Sequence, residues 1–238
     1  MTSRRARRRA TRVLALLALG TGAAVASGAA QRPVVVELFT SLGCSDCPPA
    51  DALLARISGR DSEVLALDLH VTYWNNASWA DPYSLSGADR LQNAYAALRH
   101  DSEVYTPEAV VDGGWHFIGS DASAMAAALA QAKARIAAGP LIPTSIHEAQ
   151  GQLTITIGSG AGSGTVWLFG FDPARSTRVQ GGENAGATIS EVNVVSSITP
   201  LGQWRGRGLR FKTPPPAGAR FAVIVQQTDG TITGASST

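Results

Sequence analysis

The chain has 238 residues, 45% hydrophobic and 16% charged, a globular composition that excludes general disorder and fibrous proteins. Of its 20 basic and 18 acidic residues, six arginines and no acids fall within residues 1–30. Residues 31–238 therefore carry 14 minus 18, a net charge of −4. This balance argues against a nucleic-acid partner, which would require many phosphate contacts by basic side chains.

Residues 1–30 follow the order of a secretory signal peptide. A basic segment precedes an apolar run from Val13 to Ala26, and small residues come next. A retained membrane anchor is the alternative, but the run is short for a span of about 20 residues, which favours cleavage. We therefore expect a periplasmic or secreted protein with no membrane attachment after signal cleavage.

A Cys-x-x-Cys pair follows the first predicted strand of the mature chain. The apolar, β-branched segment 34–39 predicts a buried strand, and residues 50–58 predict a helix. Cys44 and Cys47 stand between them. A bridge between these two closes almost no loop and restricts the unfolded chain very little, so the pair is predicted to be chemical rather than structural.

The position before a helix assigns different roles to the two thiols. Unpaired N–H groups at a helix start favour a thiolate, so Cys44, expected to be partly exposed, is the predicted nucleophile, with Cys47 resolving the mixed disulfide. Half of a zinc site is the main alternative. Such a site needs four ligands, and the four histidines are scattered with no second cysteine pair. We expect neither a metal nor another cofactor.

A second strand, predicted over 64–71, runs into a loop rich in aromatic residues. His70, Tyr73 and Trp74, with Trp79 further along, follow the carboxyl end of this strand, where sites of open α/β sheets are found. We predict that they line an apolar wall for substrate. The alternative is an aromatic cluster that packs the loop onto the protein.

The elements that follow complete an α/β pattern. A helix is predicted over 86–98 with Ser86 as a candidate N-cap, and a hairpin with an Asp-Gly turn over 109–118. Ser120 or Asp121 caps a third helix that ends near Ala138.

The composition changes after Gly139-Pro140. Short alternating runs separated by Gly, Ser and Pro predict strands only, including segments 165–171 and 187–195. Because a Cys-x-x-Cys pair between a strand and a helix is typical of thioredoxin-like domains, the predicted fold class is α/β, with a thioredoxin-like domain over 31–140 followed by a small all-β C-terminal domain over 141–238.

Six segments spread along the mature chain carry a resemblance: Val36-Glu37-Leu38-Phe39-Thr40-Ser41, Gly43-Cys44-Ser45-Asp46-Cys47-Pro48-Pro49-Ala50-Asp51, His70-Val71-Thr72-Tyr73-Trp74, Tyr105-Thr106-Pro107, Gly182-Glu183-Asn184 and Asn193-Val194-Val195. They resemble a secreted bacterial thioredoxin-like family catalogued as domain-of-unknown-function family 1223, and the resemblance extends over nearly the whole mature chain. The family usually continues Gly-Glu-Asn with Arg-Gly, whereas this chain has Ala185.

The resemblance implies roles for three further residues. Thioredoxin-like proteins carry a cis-proline that faces the cysteine pair, which implies a cis bond at Thr106-Pro107 and a substrate-pairing backbone at Thr106. The alternative is an ordinary trans proline in a turn. Thioredoxins also place an acid on the first strand that exchanges protons with the inner cysteine. This implies the same role for Glu37, the alternative being a side chain that points outward at the strand end.

The combined prediction is an exported thiol–disulfide oxidoreductase that acts on protein or small-molecule thiols and disulfides. Two alternatives from other classes stay open. One is a protein whose cysteines bind a soft metal such as Cu(I). The other is a non-catalytic interaction module whose disulfide stays permanently closed.

Overall fold

Strands make up most of the regular structure of residues 32–238, the part of the chain that this computed structural model describes. The predicted signal peptide lies outside the described residues. The three helices of the described part are α1 (Pro48–Ser58), α2 (Ser86–Arg99) and α3 (Ala122–Ala138). Its strands are β1 (Val34–Thr40), β2 (Val64–His70), β3 (Glu108–Val111), β4 (Trp115–Ile118), β5 (Thr144–Ala149), β6 (Gln152–Ile157), β7 (Gly164–Arg178), β8 (Thr188–Trp204), β9 (Leu209–Thr213), β10 (Arg220–Gln227) and β11 (Ile232–Ser237).

Eight of these strands form one mixed sheet in the order β11-β10-β7-β8-β2-β1-β3-β4, and β5-β6-β9 form a second sheet. β1 and β2 are parallel, and β8 runs parallel to β2, with Asp68 opposite Val194. The remaining neighbours in both sheets pair antiparallel. The large sheet thus joins strands from both sides of residue 140.

The predicted fold class, a thioredoxin-like domain followed by a small all-β domain, is therefore wrong. β7 and β8 have 15 and 17 residues, far longer than the predicted segments 165–171 and 187–195, and they continue the sheet that contains β1 and β2. The physical reason is the free edge of β2, whose backbone groups need partners. The alternation of apolar and polar residues along a segment cannot reveal which distant strand supplies these backbone partners.

Alternate residues of the central strands contact different helices. On β1, Val36 and Leu38 pack against α1 and α3, whereas Val35 and Phe39 pack against α2. The second sheet covers β7 and β10, burying Trp204 and the apolar residues of β6. This alternation decides which side chains can approach the cysteines, because the turn that carries them leads into α1.

Local signals for helix ends and turns agree with the structure at several points. Asp121 caps α3 by accepting the backbone N–H groups of residues 123 and 124, while Leu85, not Ser86, is the N-cap of α2. Asp112 and Gly113 turn the β3–β4 hairpin with φ of 51° and 69°, the positive values that an Asp-Gly hairpin turn requires. Within the described part of the chain, every helix is too short or too polar to cross a membrane.

Candidate functional site

The two cysteines lie in the turn between β1 and α1 and form a disulfide. Cys47 is the N-cap of α1, and Pro48 occupies the first helical position, where a missing N–H costs nothing. Cys44 is 1% exposed and Cys47 is fully buried. The expected partial exposure of Cys44 is therefore wrong.

The start of α1 offers few donors to a thiolate. Residues 48 and 49 are prolines, and the N–H groups of Ala50 and Asp51 both donate to the carbonyl oxygen of Cys47, at 2.8 and 3.1 Å. Any stabilisation of negative sulfur by α1 therefore comes from the dipole of the helix rather than from free N–H groups of its first turn.

Thr106 and Pro107 lie directly across from this turn. Their peptide bond is cis, as predicted, and the carbonyl oxygen of Thr106 is 3.9 Å from the Sγ of Cys44. The indole N–H of Trp74 donates to Thr106 Oγ1 at 2.7 Å, which connects the loop after β2 to the same place. Three of the predicted site residues, Cys44, Thr106 and Pro107, therefore come together with Trp74 behind them.

A groove of about 420 Å³ opens beside the cysteine turn. Ser45 and Asp46 form one wall, and Thr106-Pro107 forms the other. Two large apolar side chains are exposed in this groove, Tyr105 at 37% and Ile118 at 59%. The groove therefore offers apolar surface together with a backbone segment next to the sulfur of Cys44.

Residues 179–187, the loop between β7 and β8 that we name the covering loop, pack onto the cysteine turn from the other side. The Asn184 side chain donates to the carbonyl oxygens of Leu42 and Cys44 at 3.1 and 2.7 Å. The Glu183 carboxylate accepts the N–H and hydroxyl of Ser45 at 3.0 and 2.7 Å, which lowers the pKa of Glu183. This contact occupies an N–H group next to Cys44.

Close backbone approach between the two segments depends on glycine. A Cβ on Gly182, whose φ is +74°, would lie 2.7 Å from the Cα of Gly43, nearer than real Cβ contacts allow. A Cβ on Gly181 would lie 2.6 Å from the side chain of Trp79, which packs with Leu42. Trp79 thus anchors the covering loop, in agreement with a packing role for this aromatic residue.

Glu37 is buried on the opposite side of the sheet from the cysteines. Its neighbours at alternate positions, Val35 and Phe39, pack against α2, and its carboxylate accepts the hydroxyl of Tyr95 at 2.5 Å. Burial raises the pKa of Glu37 to about 7, opposed by that hydrogen bond. The structure thus brings Glu37 next to α2 rather than next to Cys47.

The predicted substrate wall divides into separate environments. Tyr73 is 45% exposed and bonds to Gln92, and Trp74 contacts Thr106, but His70 is fully buried beneath the surface. Trp74 is thus the predicted wall residue that contacts Thr106, which lines the groove beside the cysteine turn.

Buried acids surround His70 on the α1 side of the sheet. The Nδ1 atom lies 2.9 Å from Asp81 Oδ2, and Nε2 lies 3.3 Å from Glu191 Oε1. Burial opposes ionisation of Asp81, but hydrogen bonds from His70 and the backbone hold its pKa below the usual value. Burial raises the pKa of Asp68 well above its usual value, and burial with the charge of Glu191 raises that of Asp51 to about 7.

Sequence reasoning missed these acids as members of a site. An aspartate within the apolar segment of β2 was an available signal for Asp68, because buried carboxylates are costly. Asp51 lies on α1 one turn after Cys47, and its carboxylate accepts the hydroxyl of Thr40 at 2.8 Å. Nothing in the sequence marked Glu191 as a site residue, because acidic residues are common among the alternating polar positions of half-exposed strands.

Comparison with known proteins returned a family and two similar structures. Residues 35–226 match the family described as protein of unknown function, DUF1223. No curated protein sequence matches the chain.

One similar structure is a crystal structure of protein AGR_C_4864 from Agrobacterium tumefaciens. It is 30% identical, with a TM-score of 0.73, over 86% of this chain and 92% of that one. HBP35 of Porphyromonas gingivalis is 13% identical, with a TM-score of 0.57, over 87% of this chain and 75% of that one, a likeness of fold alone.

Proposed function

This chain belongs to the DUF1223 family of proteins of unknown function, and we propose that it exchanges thiols and disulfides through Cys44 and Cys47. The observation that carries the proposal is the disulfide between residues three apart, beside the groove at Thr106-Pro107. Such a short bridge contributes little to stability by restricting the unfolded chain, so its value to the protein lies in its chemistry.

The exchange reaction conserves atoms and electrons. A substrate thiolate attacks Cys44 Sγ, the Cys44–Cys47 bond breaks, and the Cys47 sulfur leaves with the electron pair and takes a proton. A second substrate thiol then attacks the mixed disulfide and releases Cys44 as a thiol. The substrate is oxidised to a disulfide, the protein pair is reduced by two electrons, and the reverse sequence reduces a substrate disulfide.

The groove supports a peptide or small molecule with an apolar part as substrate. Tyr105 and Ile118 offer exposed apolar surface, and the backbone of Thr106 lies next to the sulfur that is attacked. An extended substrate pairing with this backbone would bring its own sulfur towards Cys44. We propose that the substrates are exported thiols or disulfides, because residues 1–30 have the pattern of a signal peptide.

Trapping of the mixed disulfide tests the proposal. In the Cys47→Ser variant, Cys44 should react with an aromatic disulfide such as dithiobis-nitrobenzoate and retain the adduct, because the resolving thiol is absent. The matched control is Cys44→Ser, whose remaining thiol, at the N-cap of α1, should react at least tenfold more slowly, because it is Cys44 Sγ that lies 3.9 Å from Thr106 in the groove wall. Equal rates, or faster reaction of Cys44→Ser, would overturn the assignment of Cys44.

A permanently closed disulfide is the second candidate, and the burial of both cysteines favours it. Under this alternative, dithiothreitol would reduce the pair only when the protein unfolds. Under the exchange function, reduction proceeds in native protein, and Glu183→Gln accelerates it, because the charged contact to Ser45 that closes the covering loop is weakened. The rates of thiol release and of tryptophan fluorescence change, recorded together, distinguish the two candidates.

A further inference from the structure

We propose that Asp68, His70 and Glu191 form a binding site for a divalent metal ion that accepts mixed nitrogen and oxygen ligands, such as Zn²⁺ or Mn²⁺. One donor atom from each side chain lies within 4.8 Å of the others. The proposal goes beyond thiol–disulfide exchange, whose reaction uses none of these residues.

Strand pairing assembles the three side chains. Asp68 and His70 are two residues apart on β2 and therefore project to the same face, where Val64 and Ala66 pack against α1. Glu191 comes from β8, the neighbouring strand in the sheet. The site thus lies inside the protein, between the central sheet and the helix that follows the cysteines.

Unpartnered polar atoms point into this space. Both carboxylate oxygens of Asp68, both of Glu191 and the Nε2 of His70 are buried without a hydrogen-bond partner among the described residues. Nor does a lysine or arginine of the described part form an ion pair with either acid. A buried carboxylate without a partner costs several kcal/mol, and a bound cation would remove that cost.

The two separations measured from His70 suit direct coordination. His70 Nε2 lies 3.3 Å from Glu191 Oε1 and 4.0 Å from Asp68 Oδ1. Two donors that each lie about 2.1 Å from one ion can be no more than about 4.2 Å apart, and both separations fall below that limit. One imidazole nitrogen with two carboxylates is a donor set that Zn²⁺ and Mn²⁺ accept.

Asp81 orients the imidazole of His70 by contacting Nδ1, the ring nitrogen that does not face the proposed metal site. Its Oδ2 lies 2.9 Å from Nδ1 and also accepts the N–H of Leu42 at 2.7 Å and the hydroxyl of Ser41 at 3.1 Å. We assign the imidazole proton to Nδ1, because the 2.9 Å separation between Nδ1 and Asp81 Oδ2 is shorter than the 3.3 Å separation between Nε2 and Glu191 Oε1. Nε2 then directs its lone pair at Asp68 and Glu191, as in carboxylate–histidine–metal triads.

Calorimetric titration of the full chain with Zn²⁺ and, separately, Mn²⁺ tests the site. The protein is kept oxidised, so that the closed Cys44–Cys47 disulfide supplies no thiolate, and is first dialysed against a chelator. We expect one ion per chain, with affinity lowered at least tenfold by Asp68→Asn and by Glu191→Gln. The control Glu148→Gln removes an exposed carboxylate elsewhere and should leave the affinity unchanged.

Absence of binding of both ions would show that protons, not a metal, occupy the cluster, and the proposal would fail. Unchanged affinity in both variants would place the ion elsewhere and overturn it equally. If the variants do not fold, X-ray absorption of the Zn²⁺-loaded wild-type protein decides. We expect one imidazole nitrogen and carboxylate oxygens around zinc, whereas sulfur or several imidazoles would contradict the proposed site.

Discussion

Two groups of buried carboxylates in this protein have opposite surroundings. Asp112, in the β3–β4 turn, binds Arg32 through two contacts of 2.6 Å and Arg135 through a third of 2.6 Å. Asp68 and Glu191, at the centre of the sheet, have only the imidazole of His70 nearby among the basic groups described. The protein thus pairs one buried acid with two arginines and leaves two others with no lysine or arginine partner among the described residues.

The difference shows what each group contributes. At Asp112, two guanidinium groups join the start of β1 and helix α3 to the hairpin, so the carboxylate contributes to stability. At Asp68 and Glu191 the nearest basic group is the single imidazole of His70, which Asp81 shares, so stability alone does not account for these acids. Replacing single carboxylates by amides in each group tests this comparison.

The largest effect is expected at Asp112. Asp112→Asn keeps a residue that tolerates the positive φ of 51° but removes the charge between two arginines. We expect a loss of about 3–5 kcal/mol in the free energy of unfolding, because one partner of a buried pair is left behind. Urea unfolding at pH 7 measures it. The control Asp61→Asn breaks an exposed pair with Lys133 and should cost about 1 kcal/mol or less. A smaller loss for Asp112→Asn than for this control would refute the contrast.

Glu37 is a third kind of buried acid, paired with the neutral hydroxyl of Tyr95. Its pKa of about 7 in the folded protein exceeds the value of 4.5 expected when unfolded, so folded protein binds the proton more tightly. Stability from this residue is therefore complete below pH 4.5 and is lost as pH rises from 4.5 through 7, by about 3 kcal/mol in all.

Glu37→Gln should flatten that dependence, because glutamine accepts the same hydrogen bond and does not ionise. Unfolding free energies between pH 4.5 and pH 8, compared with the exposed substitution Glu148→Gln, provide the measurement. A slope that is unchanged in Glu37→Gln would mean that another group dominates this pH range.

The smallest loss is expected at Asp68. In chelator-treated, oxidised protein, Asp68→Asn should not lower the free energy of unfolding and should raise it, because the amide removes the cost of burying a carboxyl group and breaks no hydrogen bond. The same urea titration that detects the loss at Asp112 measures it. A loss as large as that at Asp112 would reveal an internal partner for Asp68 and end the contrast between the two groups.

Local features of the site could be read from neighbouring residues. Cys44 and Cys47 were placed correctly between a buried strand and a helix, because strand and helix periodicity are visible within a dozen residues. Asp121 was one of two predicted caps for the same reason. Exposure of Cys44 was predicted wrongly, because Asn184, which bonds to its carbonyl oxygen, lies 140 residues further along the chain.

The residues alone thus determined the cysteine pair with its preceding strand and following helix, and the family resemblance identified the segment Thr106-Pro107. Only the tertiary structure decided that β8 would pair with the free edge of β2. That single pairing carries Glu191 to His70 and carries the covering loop over Cys44. Hydrophobic periodicity predicts that a strand forms, but it does not predict which strand edge it joins, because every edge presents the same backbone donors and acceptors.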